Sequence, residues 1–594
     1  MLFRRLMEYG KGLEDGYAYY QRDESTLVVD IDSTSGKVQP IHMGTEGQPL
    51  AVPKVNRTSG NEPFLLVEGP EYVFGMPVGK GERRARRAEK RHAAYRELLN
   101  RCADETGSSA VGAVADLVSD ADALSLLEAR LLPGKEPRVL TEKEAKQWIA
   151  FRADGSYVHD QPDVAAFWAR EVERSSATGE GRCSVCARRG PLAKKNPVKA
   201  KGVGAAAVTS ANEPAFVSFG LEKHGPKTER YRTTSVCLSC AYRVTVAFND
   251  LMDWKAGGGR SLAATHNRGG SHRIGDAKLA YWSTGDPGFA VDIMRCLENP
   301  SSADVAELFR SPRTGRTALL PADAGFHSFT ASGYKSRVVF RDWIDVPLRE
   351  VQANVHGWVE RVNIVGQNGE PAAVGIGQLL ASTVHPRKDI RAADGLALWR
   401  TALLGAPFPQ RLQAAAVRRA SVERRMTTSR AAILKAAVLD RTGLALRNND
   451  HELENDRMND ASTGNLTRLN PDHPSPAYHL GRLLAVLDDI QYQAQKIRTV
   501  VDRNVGGATS SPMAVFPRLL EMARKAHLPK IERAEETGRR HILQRRLEGL
   551  IPEKFPRRLG LEDKSLFMVG LYHEEADRRA RIAAAIAQKE RGGG

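Results

Sequence analysis

The chain has 594 residues, 41% of them hydrophobic, with 87 Lys and Arg against 71 Asp and Glu, a formal net charge of +16 and only six cysteines. That length predicts three or four domains with real cores; the absence of any apolar run of about 18 residues excludes a helical membrane span, and so few cysteines exclude a disulfide framework. A basic excess gathered in arginine-rich clusters predicts a polyanionic partner, nucleic acid before an acidic protein surface. The N-terminal MLFRRLMEYGKGL has no apolar block or cleavage site of a secretory signal, so the expected location is the cytoplasm.

In chain order, Leu2, Leu6, Tyr9 and Leu13 recur at helical spacing and predict a first amphipathic helix. Thr26–Ile31 and Pro63–Val67 read as strands. Between them, the loop VPKVNRTSGNEP offers Lys54, Asn56, Arg57, Thr58, Ser59 and Asn61, a dense set of donors suited to phosphates or base edges. A polar surface loop is the other reading of that composition. Gly79–Arg96 is predicted to open a helix running on through Leu98 and Leu99. Its Arg83, Arg84, Arg86, Arg87 and Arg91, with Lys80, Lys90 and Arg96, outweigh Glu82 and Glu89, and a run this dense points to phosphate contact. Asp116–Leu132 reads as one helix, Trp148–His159 as a strand–turn pair, and Val164–Val172 as a helix carrying Phe167 and Trp168.

Two CxxC pairs follow, Cys183/Cys186 and Cys237/Cys240. Each can place two thiolates on one tight knuckle, and two knuckles complete a tetrahedral zinc site with no open position, which is structural rather than catalytic. Redox chemistry and unpaired buried thiols are the alternatives; Cys102 and Cys296 read as ordinary buried residues. The insertion between the pairs is basic, with Lys194, Lys195, Lys199 and Lys201 before Gly202 and Gly204. Arg260, His266, Arg268, His272 and Arg273 sit among glycines in a segment expected to order on a partner. Lys278–Trp282 and Ser336–Trp343 read as strands. After Val351 helices dominate, and Asn448–Pro476 reads as a linker.

Beyond it, Ala477, Leu480, Leu484 and Leu487 mark a wide apolar stripe on one helix. Gly506-Gly507 is expected to break the segment after it, and Pro512 to open another helix. Arg482, Arg498 and Arg518 dot this bundle. They read either as solvated charges or as a track for a phosphate backbone. The tail from Lys589 is expected to be disordered. The resulting fold class is α+β: a mixed N-terminal region containing the four-cysteine site, then an all-helical C-terminal bundle. The expected divisions are 1–105, 106–350, 351–447, a linker at 448–475, and 476–594. No nucleotide-binding glycine loop, HExxH, GxSxG or paired-carboxylate motif occurs, and Asp488-Asp489 point about 100° apart on a helix, so the expectation is a binding protein.

The segments VPKVNRTSGNEPFLLVEGPEYVFGM (Val52–Met76), QWIAFRADGSYVHDQPDV (Gln147–Val164), VSFG (Val217–Gly220), PAYHLGRLLAVLDDIQ (Pro476–Gln491) and SSPMAVFPRLLEMA (Ser510–Ala523), with SLFMVGLYHEEA near the end, resemble the large subunit of the type I-C CRISPR Cascade complex. They run in the family's order and cover nearly the whole chain. One departure is Glu68-Gly69, where the family often has Asp-Asn. The resemblance implies a non-enzymatic scaffold at the end of a crRNA-guided complex. It would read the protospacer-adjacent motif in duplex DNA near Lys54–Asn61, help open the duplex, and recruit the nuclease-helicase. Implied partners are the crRNA-loaded backbone and crRNA-end subunits, the target duplex with its displaced strand, and small subunits. The C-terminal part resembles a Cascade small subunit, and Met458 is a candidate internal start for it. The competing class is a zinc-containing nuclease or RNA-modifying enzyme using His266 and His272; an RNA-binding assembly factor is a third reading.

Overall fold

The computed structural model describes residues 1–11, 13, 17–25, 27–32, 38–42, 48–57, 61–131, 139–193, 196–204, 207–208, 235–252, 269–274, 276–285, 287–300, 324–334, 337–366, 369–441, 466–532 and 537–592. The chain divides into two compact units, Met1–Ser261 with Gly333–Val339, and Leu262–Ser332 with Phe340–Gly594.

In the first unit α1 (Leu2–Lys11) precedes four strands: β1 (Tyr20–Ser25), β2 (Leu27–Ile31), β3 (Val38–His42) and β4 (Gln48–Pro53). Then come β5 (Val67–Glu68), the single turn α2 (Pro70–Val73), and the helices α3 (Glu82–Thr106), α4 (Ser109–Ser119) and α5 (Ala121–Leu131). The unit is completed by β6 (Ile149–Ala153), β7 (Ser156–Tyr157), α6 (Pro162–Ser176), β8 (Ala177–Arg182), β9 (Arg189–Ala193) and α7 (Leu238–Met252). A mixed sheet runs β3-β2-β6-β5, with β2 parallel to β6 and β7 turning back onto β6. β1 pairs with β4, and β8 with β9. Of the expected strand Pro63–Val67, only its end is strand. Asp120 divides the single helix expected over Asp116–Leu132, because its carboxylate accepts the Asp122 and Ala123 amides at 2.9 and 3.1 Å and starts α5 afresh. Gly107, at φ 65°, closes α3, and the Ser108 hydroxyl accepts the Val111 amide to open α4.

The second unit begins with β10 (Gly269–Ile274), β11 (Ala277–Ser283), α8 (Pro287–Glu298) and all but the adjoining ends of β12 (Gly325–Tyr334) and β13 (Arg337–Pro347), and the four strands form one sheet in sequence order. α9 (Leu348–Val362), the short pair β14 (Ile364–Val365) and β15 (Pro371–Ala372), α10 (Ile376–Thr383), α11 (Ala392–Leu404), α12 (Gln410–Glu423) and α13 (Thr428–Arg441) follow. Last come α14 (Pro476–Gln495), α15 (Val500–Ser510), α16 (Pro512–Met522), α17 (Thr537–Glu548) and α18 (Leu561–Gly592). One core joins Trp358, Trp399, Leu434, Leu480, Leu484, Phe516 and Phe567. Residues from 466 onward are anchored in it: Leu466 is buried, the Val365 amide donates to the Thr467 carbonyl, and Lys435 donates to the Thr467 hydroxyl.

Two expectations fail here. α15 runs straight through Gly506-Gly507, because Asp488 reaches across from α14 and accepts the Val500 and Val501 amides at 3.1 and 3.3 Å, capping the helix from outside. The tail is helical to Gly592 rather than disordered from Lys589.

His573 on α18 is fully buried. The Tyr478 hydroxyl, which accepts the Asn470 amide, meets its Nδ1 at 2.8 Å, and burial holds the imidazole down at about 3, hence neutral. The folded value lies below the unfolded value of about 6.5, so the unfolded chain takes up the proton first as pH falls. Stability is therefore full above that value and declines by roughly 1.4 kcal/mol per pH unit below it, until pH approaches the folded value. His573→Gln retains an acceptor but cannot titrate. Denaturant unfolding at pH 7 and pH 4 should show a smaller acid penalty in the variant; equal penalties would refute the assignment.

Candidate nucleic-acid interface and metal centre

The loop after β4 stands on a series of cation–ring and ring–ring contacts. Lys54 Nζ lies 4.4 Å from the Trp148 ring centre, Trp148 stacks on Phe64, and the Arg57 guanidinium sits between Phe64 and Tyr72 at 3.7 and 4.5 Å. Arg91 of α3 also lies over the Tyr72 ring, at 5.1 Å. Cation–ring contacts contribute about 0.5–2 kcal/mol each, more as the cation is buried. Arg57 also pairs with buried Glu68, whose two carboxylate oxygens accept the Phe64 and Gly69 amides at 2.9 and 2.8 Å. Burial lowers the Arg57 guanidinium to about 10, leaving it charged at neutral pH. Glu68 is thus the internal anchor of the loop, at the position where the sequence departs from the pattern it resembles.

The same contacts bring the loop to the basic helix. Glu71 of α2 pairs with Arg91 and, at 3.8 Å, with Arg87; His92 Nδ1 meets the Tyr72 carbonyl at 2.9 Å. α3 buries Ala88, Arg91, Tyr95, Leu98 and Leu99 on one side. At 100° per residue, Arg83, Arg86 and Lys90 then project away from that side, Arg87 lies at its edge one turn before Arg91, and all four are exposed. Arg84 is exposed in the first turn. On the loop's other flank the Asn56 amide donates to the Pro197 carbonyl, which sets exposed Lys199 and Lys201 close by. Asn249 holds that segment, bonding the Lys199 carbonyl and the Lys201 amide at 2.8 and 2.7 Å. Residues from three separate stretches therefore form one basic region around Lys54, Asn56, Arg57 and exposed Asn61.

Thr58, Ser59, Lys194, Lys195 and His266 lie outside the described residues, and His272 lies on β10. Three of the named arginines are engaged inside their units. Arg91 is 8% exposed and held by Glu71, Arg482 is paired with buried Glu574 at 2.9 Å, and Arg498 bonds Asp488 and Asp489 at 2.9 and 3.3 Å. Arg518 is exposed on α16. Glu68, Glu71 and Tyr72 escaped sequence reasoning. Single acidic and aromatic residues carry no periodic signal, and only proximity reveals what they hold.

The four cysteines of the two CxxC pairs do converge: their sulfurs all lie within 4.8 Å of one another. Cys183 and Cys186 sit in the turn of the β8–β9 hairpin, where Ala187 at φ 60° closes the knuckle and the Cys183 amide bonds the Arg188 carbonyl. Cys237 precedes α7 and Cys240 stands in its first turn, and the Leu192–Cys237 bridge ties helix to hairpin. A tetrahedron with metal–sulfur distances of about 2.3 Å needs sulfur separations near 3.8 Å. Cys186 and Cys237 are 3.9 Å apart, as such a site requires and too far for a disulfide. Cys183 Sγ accepts the Val185 and Cys237 amides at 3.4 and 3.3 Å, contacts that orient a ligating sulfur. The Cys237 thiol is pulled down to about 5, chiefly by the hydrogen bond from Cys240, whose own proton is held correspondingly tightly. Four sulfurs fill a tetrahedral coordination shell, so an ion held here has no position left for substrate. Cys102 and Cys296 are buried elsewhere, and burial raises the Cys102 thiol to about 12.

A family described as CRISPR-associated protein (Cas_Csd1) matches residues 10–579. The chain belongs to the Cas_Csd1 family of CRISPR-associated proteins. No curated protein matches it. Membership makes this a CRISPR-associated protein of Cascade type, and the match spans both units, the cysteine centre and the basic region. A Cas_Csd1 protein therefore carries a four-thiol cluster able to hold a metal ion, and no helix among its described residues is long and apolar enough to cross a membrane.

Proposed function

We propose that the chain is the non-catalytic large subunit of a type I-C Cascade. It binds the protospacer-adjacent motif in duplex DNA, assists opening of the duplex for crRNA pairing, and recruits the nuclease-helicase. Its partners are the crRNA-loaded backbone and end subunits, the displaced strand and small subunits, in the cytoplasm. Zinc in the cysteine centre braces the fold. Within a family of CRISPR-associated proteins, the observation that carries this reading is the joining of the 54–57 segment to the basic helix α3 and to the segment carrying Lys199 and Lys201. Guide pairing reads the target, so the protein needs only a short duplex reader flanked by cations that take phosphates.

In this division Lys54, Asn56, Arg57, Thr58, Ser59 and Asn61 form the reader. The exposed Arg83, Arg84, Arg86, Arg87, Lys199, Lys201 and Arg518, with Lys194 and Lys195, contact backbone phosphates, and the ion-paired Arg91, Arg482 and Arg498 position the elements that carry them. The experiment assembles the guide-loaded complex with Arg57→Lys/Asn61→Ala protein. Arg57→Lys keeps a cation for buried Glu68 while losing the planar stack. Affinity for motif-bearing duplex should fall at least about tenfold, with pre-opened target little changed. Equal losses on both substrates would refute the reader. In the same assay, replacing Arg83, Arg86 and Arg87 by Gln should flatten the log-affinity against log-salt line by about 0.9 for each phosphate no longer neutralised. Turnover of DNA or RNA by the purified chain with divalent metals would overturn the non-catalytic reading.

A further inference from the structure

The second unit contains a cavity of about 790 Å³ that duplex reading does not use. Its cationic wall comes from Arg273 of β10, Arg341 of β13, and Arg387, Lys388 and Arg391, against one acid, Asp276. Arg341 and Asp276 are joined by two hydrogen bonds of 3.2 and 2.6 Å and largely cancel. Arg387 and Lys388, in the 3-10 turn Arg387–Asp389, and Arg391 just before α11 are exposed and form no ion pair among the described residues. Two helices also begin at this wall: Ile376 and Gly377 open α10, Ala392 and Ala393 open α11, and all four line the cavity. Neither start is capped by a side chain. Two positive helix ends and an uncompensated cation cluster meet in one space, an arrangement that favours an anion.

The remaining wall is apolar. Leu380, Ile390 and buried Trp399 lie in the same cavity, so it accommodates more than a bare anion. Its volume falls within the range of about 300–1,000 Å³ that encloses a ligand with an apolar body and a few polar groups. A base and sugar against Leu380, Ile390 and Trp399, with phosphate toward Arg387, Lys388, Arg391 and the helix starts, satisfies both surfaces. We propose that this cavity binds a nucleoside phosphate, either a free nucleotide or a nucleotide of a single strand. The single-strand source rests on the proposed nucleic-acid function; the free-nucleotide source does not.

The test uses the full chain and three probes: uridine monophosphate, inorganic phosphate, and fluorescently labelled 15-mers of thymidine and uridine. The nucleotide, an oligomer, or both should bind, and inorganic phosphate should bind at least about tenfold more weakly. Arg387→Glu/Lys388→Glu/Arg391→Glu should weaken that binding at least tenfold. For an oligomer the salt slope should drop by about 2, at roughly 0.7 for each single-strand phosphate no longer neutralised. Loss for both the nucleotide and the oligomers, or for the nucleotide alone, identifies the free ligand; loss for oligomers alone identifies the strand. The milder Arg387→Gln/Lys388→Gln/Arg391→Gln variant should show the same order of effects if charge reversal perturbs folding. Unchanged binding in the variants, no binding of nucleotide or oligomer to the parent, or phosphate binding as well as the nucleotide would each overturn the proposal. Motif-bearing duplex binding by the guide-loaded complex, measured with the Arg57→Lys/Asn61→Ala variant, tests the other region separately, so either can fail alone.

Discussion

Cys237→Ser/Cys240→Ser protein is expected to bind no metal, while the parent is expected to carry about one zinc ion per chain by elemental analysis, and the first unit of the variant should lose cooperative unfolding. The size of the effect follows from what the centre joins. Cys183 and Cys240 are buried in the core of that unit beside Val236, Leu238 and Ala241, and an ion held by the four thiols would tie the β8–β9 hairpin to the start of α7 beside the Leu192–Cys237 bridge. Four-thiolate and related zinc sites contribute on the order of 10 kcal/mol in small zinc-finger peptides at neutral pH. Even half of that is comparable with the roughly 5–15 kcal/mol by which most domains are stable. Limited proteolysis should cut the variant within or beside the hairpin and α7 while the second unit survives. A parent chain that is metal-free and fully folded would end the zinc assignment.

The second large effect is expected where α14 crosses α18. The two helices meet backbone to backbone at a reciprocal pair of glycines. A Cβ on Gly481 would stand 1.8 Å from the Phe567 carbonyl oxygen, and one on Gly570 would stand 2.1 Å from that of Tyr478. Two effects oppose each other in a Gly→Ala change here. Helix propensity favours Ala by about 1 kcal/mol. The overlap is with main chain, which cannot swing aside, so relief requires moving whole helices that bury Tyr478, Leu484, Phe567 and Leu571. Overpacking typically costs about 1–3 kcal/mol, and an overlap with rigid main chain on both helices belongs at the upper end, so the steric effect wins and each single variant should be destabilised by up to about 2 kcal/mol. Once one methyl has forced the helices apart the second clash is partly relieved, so the double variant should lose less than the sum. Equilibrium denaturation checks both statements; a stabilised Gly481→Ala would show that the helices do not approach so closely.

Much of this fold was readable because its signals are local. The stripe of Leu480, Leu484 and Leu487 marks α14, the charge run marks α3, and each CxxC spacing forces two sulfurs onto one turn whatever surrounds it. The failures share a cause. Asp120 splits an apolar pattern by a side-chain bond that periodicity does not register, and Asp488 caps α15 from another helix, overriding two glycines.

Sequence alone determined that the chain is strongly basic, rich in helices after residue 351, and equipped with two thiol knuckles, because charge, periodicity and close spacing depend on neighbours a few residues apart. Only the tertiary structure decided which arginines face water. Arg83 and Arg91 are indistinguishable in a charge run, yet Glu71 and Tyr72 bury one and leave the other exposed. Only the fold, likewise, brought Arg273 and Arg341 to the helix starts near residues 376 and 392. A guanidinium's fate depends on desolvation and on the carboxylate it meets, and both are set by segments far away along the chain.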